Sequence, residues 1–430
     1  MNLAEALRYL DDHASYERTG RVESPSLATI ERMMDAMGNP QRTYPVVHLT
    51  GTNGKGSTTQ MVTRLLVAHG LRVGTYTSPH LEMLNERICV DGQPISNDEF
   101  AVAIGAVADI EVVTGARPTY FEAVTAAAFR HFADIAIDVG VVEVGMLGRW
   151  DATNVVDATV AVVTNIALDH TEFAGPTLAH IASEKVGISK PGSVLVVGDE
   201  NPMLSPIWTA SAHASLVMRG PDFSCEDNAL AVGGRLLEVK TTRARHSGVV
   251  VPLHGRHQGD NASIAIAAVE EFFDAAIDGE VLAEAMAHVE MPGRFEVLSR
   301  LPLVVIDGAH NPAGGDVCAE VFFGDFSPQG RRTLVVGVLI GRDPAEMLGA
   351  LRADDFDLVV CATAPSPRAV PGEVLADVAR AMGCDQVRVQ PDVARACDIA
   401  LAGAGQDDAV LVAGSLYVAG AARTHLRRIL

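Results

Sequence analysis

The chain is predicted to be an α/β protein: a larger N-terminal domain on a mainly parallel sheet, followed by a smaller α/β domain. Three observations predict this. Short apolar, β-rich runs alternate with helical periods along most of the 430 residues. The alternation falls into two series that break near residues 292–302, which gives domains of 1–295 and 296–430. The stretch "HLTGTNGKGSTTQ" (48–60) sets a glycine-rich turn between an apolar run and a helix-like segment. A chain this long exceeds one ordinary core, so two domains are expected on length alone.

Residues 2–40 read as helical, with a cap at Ser26 or Ser24 and with "LATIERMMDAMG" stopping at Gly38 ahead of Pro40. "TYPVVHLT" (43–50) reads as a short buried strand. Beyond the glycine turn, Met61, Val62, Leu65 and Leu66 recur at helical spacing up to Gly70, and "LRVGTYTS" restarts a strand. "IDVGVVEVG" (137–145) and "ATVAVVTNIA" (158–167) are further strands, and "NASIAIAAVEEFF" (261–273) is a strong helix. Alternation of this kind predicts a parallel sheet with helices on both faces. The second series runs through "LVVIDGAH" (303–310), "TLVVGVL" (333–339), "DLVVCATA" (357–364) and "AVLVAGSLY" (409–417). No repeat of about 20 to 50 residues is present, which argues against a solenoid.

Composition narrows the partners. The net charge of −21, from 33 Lys and Arg against 54 Asp and Glu, works against a broad nucleic-acid or anionic-membrane footprint. Six cysteines without C-x-x-C spacing read as reduced core thiols rather than a zinc site or disulfide framework. "MNLAEALRYLDDHASYERTG" lacks the apolar core of a secretory signal, and no apolar run reaches the ~18 to 20 residues of a membrane helix. A cytoplasmic location is expected.

A strand entering a glycine turn and then a helix offers backbone N–H groups and a positive dipole end to an anion, and Lys55 adds a mobile charge. That combination suits a triphosphate. The match to G-x-x-x-x-G-K-[ST] is imperfect, because Leu49 stands at its first position and Gly56 rather than a hydroxyl residue follows Lys55. Ser57 arrives one residue late. Glu143 lies between valines in a buried strand, where an uncompensated carboxylate is costly, and this points to a cation. His170 follows "NIALD" at a strand end, where ligands of open α/β sheets gather, although a histidine taken alone is more often a surface or core residue. Taken alone, Ser78 before Pro79 reads as a turn hydroxyl, Lys185 as a helix lysine, and Tyr120 and Phe121 as core.

"GTNGKGST" resembles the nucleotide loop of the Mur-ligase superfamily in the form found in dihydrofolate synthases and folylpolyglutamate synthases. Further segments follow in that family's order: "YTSPHLEMLNERICVDGQPIS" (76–96), "YFEAVTAAAF" (120–129), "VVEVGMLGRWDATNVV" (141–156), "TNIALDHTEFAGPTLAHIASEKVGISKPG" (164–192), "GRHQGDNASIA" (255–265), "MPGRFE" (291–296) and "IDGAHNPAG" (306–314). "GSLYVAGAAR" near the end is also similar. The resemblance implies a central Mur-ligase-type ATPase domain with a phosphate loop and a smaller Rossmann-like C-terminal glutamate-ligase domain. It implies an ATP-dependent amide ligase that adds L-glutamate to dihydropteroate or reduced folates through an acyl phosphate.

By the same resemblance, Asn53, Gly54, Lys55, Gly56, Ser57 and Thr58 hold the phosphates and Asn261 contacts adenine. Arg294 and Asp307 contact the nucleotide and His310 lies near the phosphates, so that closure of two domains would assemble the site. Magnesium is implied at Ser78, Glu143 and His170, with a second ion through a carbamylated Lys185. Lys55, His170, Lys185 and His310 are the implied catalytic set. The pterin is implied at Thr119, Tyr120, Phe121, Glu122, Trp150 and Asp151, where aromatic rings beside carboxylates suit a flat heteroaromatic. The family's members are often monomeric, and a monomer is expected. The family's usual glycine pair after "EVG" gives way to Met146 and Leu147, and Trp150 stands where a smaller aliphatic residue is common, which bears on pocket shape.

Two other readings stand beside this one. A Mur-type ligase for a UDP-linked muramyl precursor would carry an N-terminal uridine-nucleotide domain, and about 42 residues ahead of the first strand are too few for one. A nucleotide-responsive regulatory protein without ligase activity would tolerate the altered "MLG", whereas the presence of Glu143, His170 and Lys185 favours the ligase.

Overall fold

The computed structural model describes residues 1–20, 25–169 and 171–430. The chain divides into two compact units: the first comprises Met1–Tyr16, residues 21–252 and Arg256–Glu290, and the second comprises Glu17–Gly20, Leu253–Gly255 and Met291–Leu430.

In the first unit, eight strands form one sheet: β1 (Val46–Thr50), β2 (Val73–Tyr76), β3 (Ile88–Val90), β4 (Gln93–Pro94), β5 (Val139–Glu143), β6 (Val160–Val163), β7 (Val194–Val197) and β8 (Ser215–Met218), in the order β4-β3-β2-β5-β1-β6-β7-β8. The six strands from β2 to β8 in that order are parallel, and β3 and β4 complete the edge antiparallel. The inner strands are valine-rich and buried throughout, as expected of strands covered on both faces. Helices Leu3–Asp11, Ala28–Ala36, Asn97–Thr114 and Tyr120–Asp134 share one apolar core with Val46, Tyr76 and Val142 of the sheet. Helices Lys55–Ala68, His257–Phe273 and Gly279–Ala287 pack on one another as a further layer.

A separate antiparallel sheet of β9 (Ser224–Ala231), β10 (Gly234–Lys240) and β11 (Arg245–Val251) packs against the His257–Phe273 helix. The sequence had not disclosed it. In the second unit, β12 (Glu296–Arg300), β13 (Leu303–Ile306), β14 (Arg332–Val336), β15 (Leu358–Cys361), β16 (Val387–Val389) and β17 (Ala409–Ala413) are ordered β12-β13-β17-β14-β15-β16. Only β12 is antiparallel to its neighbour. Two apolar cores flank this sheet, one around Phe322 and Met347, the other around Val393 and Val418.

The helical reading of residues 2–40 needs correction. The segment is broken into Leu3–Asp11, Tyr16–Thr19 and Ala28–Ala36. Asn2 and Glu5 close a reciprocal capping box that starts the first helix. Leu27 occupies the N-cap of the third without a side-chain bond, and Ser26 Oγ instead accepts from Ala28 N at 3.1 Å. The alternative cap, Ser24, lies outside the described residues. Among the described residues no helix is long and apolar enough to cross a membrane.

Candidate functional site

The glycine turn leaves β1 and enters the helix Lys55–Ala68 with Gly54 at its N-cap. Two positions admit only glycine. Gly51 has φ +152° and a Cβ there would stand 1.8 Å from Thr164 Oγ1; Gly54 has φ +81° and a Cβ there would stand 2.4 Å from Asn261 Oδ1. The turn is laced to the segment after β6. Asn53 N donates to Asn165 Oδ1 at 2.9 Å, Thr164 Oγ1 donates to Asn53 O at 2.6 Å, and Thr52 N donates to Asn165 O at 2.9 Å. Gly56 follows Lys55 in the first helical turn, Ser57 is nearly buried behind it, and Thr58 is fully buried on the inner side.

Two lysine Nζ atoms converge beneath this turn. Lys55 Nζ donates to Gly51 O at 2.9 Å and to Thr52 O at 3.1 Å, and Lys185 Nζ donates to the same Gly51 O at 2.7 Å. Lys185 sits at the end of helix Leu178–Lys185 and is 3% exposed. Burial, aided by the Lys55 charge, holds its amine well below the usual lysine range against the opposing pull of Asp169 and Asp151.

Glu143 ends β5 beside Leu49 of β1 and is buried. Its Oε2 accepts from Ser78 N at 3.4 Å, so the carboxylate and the Ser78 segment are neighbours. His170 lies outside the described residues. Among the described residues no three His, Cys, Asp or Glu side chains gather as a metal cage. A carboxylate and a hydroxyl residue beside the glycine turn nevertheless match the oxygen donors that magnesium takes when phosphates and water complete its shell. The residues present fit such an ion.

The expected pterin residues sit on two neighbouring segments. Thr119 caps helix Tyr120–Asp134 and exchanges hydrogen bonds with Glu122, whose Oε2 accepts from Thr119 N at 2.7 Å. Tyr120 is nearly buried, with the Arg87 guanidinium 5.5 Å from its ring centre. Phe121 presses on the backbone of Gly145, where a Cβ would fall 2.5 Å from the ring. Asp151 turns inward: Oδ2 accepts from Met146 N at 2.8 Å and Oδ1 from Thr153 N and Oγ1 at 3.0 and 2.6 Å. It therefore shapes the 145–151 turn, leaving Trp150 half exposed at the tip. Leu147 takes φ +60° in this turn, a left-handed conformation that glycine adopts without cost.

In the second unit, Arg294 Nη1 donates to Gly308 O at 3.3 Å, and Asp307 accepts from Phe295 N and Ala309 N, each at 2.7 Å. Burial raises the Asp307 carboxyl while Arg294 lowers it. A ring nitrogen of His310 bonds Gly308 O at 3.0 Å. The three residues thus form one cluster around Gly308, with Arg294 just ahead of β12 and Asp307 and His310 in the loop between β13 and the helix Pro312–Glu320.

The family model described as the Mur ligase middle domain matches residues 49–269, and that of the Mur ligase glutamate ligase domain matches residues 293–416. A Mycobacterium tuberculosis protein named dihydrofolate synthase/folylpolyglutamate synthase is 38% identical over 440 residues, covering 93% of this chain and 90% of its own. The chain belongs to the dihydrofolate synthase/folylpolyglutamate synthase family of Mur ligases. The structure of a Mycobacterium tuberculosis folylpolyglutamate synthase complexed with ADP superimposes with a TM-score of 0.90 at 38% identity, covering 99% of this chain and 98% of that one. A bifunctional folylpolyglutamate synthase/dihydrofolate synthase with Mn, AMPPNP and L-glutamate bound gives 0.86 at 30% identity, covering 99% and 98%.

Within this folylpolyglutamate synthase frame, sequence reasoning missed Thr164 and Asn165, which fix the glycine turn from the neighbouring strand. Their signals were position, since "TNIALD" follows β6 at the end of the sheet where the turn lies, and the family-like segment 164–192 that they open. Glu86 was also missed. Its carboxylate accepts from Leu81 N and Met83 N, each at 2.8 Å, and so folds the turn that follows Ser78.

Proposed function

We propose that the chain uses ATP to join L-glutamate to the carboxylate of a pterin or folate, making dihydrofolate, extending reduced folates, or both. The observation that carries this reading is the glycine turn with Lys55 and Lys185 on one carbonyl, set beside buried Glu143, in a chain of this family.

A carboxylate is a poor electrophile, so the γ-phosphoryl group is passed to it and the acyl phosphate is then attacked by the glutamate amine, which displaces phosphate. Such chemistry needs alignment and charge stabilisation more than an enzyme nucleophile. Asn53, Gly54, Lys55, Gly56, Ser57 and Thr58 form the phosphate cradle, with Lys55 leaving its backbone carbonyls to meet the terminal phosphates. Asn261, beside Gly54, is assigned to the adenine. In the second unit, Arg294, Asp307 and His310 are assigned to the nucleotide.

Ser78, Glu143 and His170 would hold a divalent cation, which would neutralise charge on the phosphate oxygens when bound. A second ion through Lys185 requires carbamylation. Its depressed amine supports that step: a neutral nitrogen can add to carbon dioxide and release a proton, leaving an anionic carbamate where the neutral amine stood. For the pterin we assign the segment Thr119, Tyr120, Phe121 and Glu122 with Trp150 and Asp151. With Asp151 committed to its own turn, the ring of Phe121 and the indole of Trp150 are the faces left to stack on a heteroaromatic.

Phosphate release from ATP, measured with dihydropteroate or tetrahydrofolate and with or without L-glutamate, tests the reading. Release is expected only when acceptor and glutamate are both present. Lys55→Ala should abolish it, and full turnover in that variant would contradict the cradle.

A further inference from the structure

The sheet of β9–β11 has no part in the chemistry above, yet one of its side chains grips the helix that carries Asn261. Asn228, on β9, uses both ends of its amide. Nδ2 donates to Arg256 O at 2.7 Å, and Oδ1 accepts from Arg235 Nε at 2.7 Å. Arg235 Nη2 also donates to Asn228 O at 2.6 Å, and Arg235 is only 3% exposed. A buried guanidinium presents donors in a fixed fork, so it holds the amide in one orientation.

The grip is close. A Cβ at Gly259 would fall 2.2 Å from Asn228 Nδ2 and 2.9 Å from Cys225 Sγ, so strand and helix touch with no space for a side chain between them. The helical turn held in this way carries Gln258, whose Oε1 accepts from Asn261 Nδ2 at 3.0 Å. Asn261 in turn abuts Gly54 of the phosphate cradle. Contacts therefore run without a gap from Arg235 through Asn228 and the Arg256–Gly259 backbone to Asn261 and Gly54, all inside the first unit.

We propose that Asn228, anchored by Arg235, is a positioning residue that sets the first turn of the His257–Phe273 helix against the phosphate cradle and thereby tunes nucleotide affinity. It touches no reacting group and acts through Asn261. The inference rests on the reading that a nucleotide binds between Gly54 and Asn261.

The test is calorimetric titration of ADP with magnesium into the wild type, Asn228→Ala and Asn228→Asp, together with KM values for ATP and for the folate acceptor. Asn228→Asp keeps an oxygen for Arg235 and turns the donor that faces Arg256 O into an acceptor, so it isolates the link to the helix even if the alanine variant folds poorly. The ADP dissociation constant should rise about three- to tenfold in Asn228→Asp, with the KM for ATP rising in step. The KM for the acceptor and kcat should stay within about twofold of wild type. Unchanged ADP affinity in Asn228→Asp, or an equal rise in both KM values, would overturn the inference. A wild type that binds no ADP would remove the nucleotide reading as well.

Discussion

His48 shows how one side chain can carry a pH dependence for the whole fold. It lies in β1, fully buried, with Nε2 2.9 Å from Thr153 Oγ1. That hydroxyl donates to Asp151, so Nε2 carries the proton and donates to the threonine, and Nδ1 is left buried without a partner among the described residues. Burial, and secondarily Lys190, lowers its pKa from 6.5 to about 3. The folded state therefore keeps the ring neutral while the unfolded chain takes up a proton below the ordinary value, and stability is lost as pH falls from about 6.5 towards 3. Between pH 7 and pH 5 this residue should remove about 2 kcal/mol from the unfolding free energy. Urea denaturation at the two values checks it, with His48→Asn expected to flatten the difference. The sequence displayed this histidine only as one polar letter in "TYPVVHLT"; its Thr153 partner is 105 positions away, and no local pattern announces such a pair.

Among the elements, legibility followed apolar periodicity. The parallel strands are continuous runs of Val, Leu and Ile that need two covering layers, and so they stand out in the sequence. Strand β9 has only exposed and half-exposed positions, and "SCEDNALA" has too few apolar residues to declare a period; β10 and β11 do bury Leu237, Val239, Val249 and Val251, but they also bury Arg235 and His246, which breaks the apolar pattern. Likewise the glycine turn was visible because only glycine fits at two of its positions, whereas the inward turn of Asp151 depends on backbone N–H groups that no spacing rule locates. The small sheet is tied to the His257–Phe273 helix at a second place. Glu270 Oε1 accepts from His246 Nε2 at 2.8 Å and from Ile277 N at 3.2 Å, with both side chains buried. Glu270→Ala should destabilise the protein by about 3 kcal/mol because it strands two buried donors, and Glu270→Gln by less because it keeps an acceptor. Shifts of the urea midpoint report both.

At the level of the whole molecule, the second unit has its own sheet and an apolar core on each face. A fragment spanning Met291–Leu430 should therefore unfold in one cooperative step, followed by far-ultraviolet circular dichroism; a featureless melt would mean that its stability depends on the rest of the chain.

The placement of β17 between β13 and β14 bears on biosynthesis. Those two strands are translated long before the one that separates them, and neither can complete its ladder until Ala413 has left the ribosome. Until then their valine-rich edges face solvent or a chaperone, and in the first unit β1 and β2 wait in the same way for β5, which lies between them. Premature stop codons just ahead of residue 409 should accordingly yield insoluble product rather than a shortened soluble enzyme.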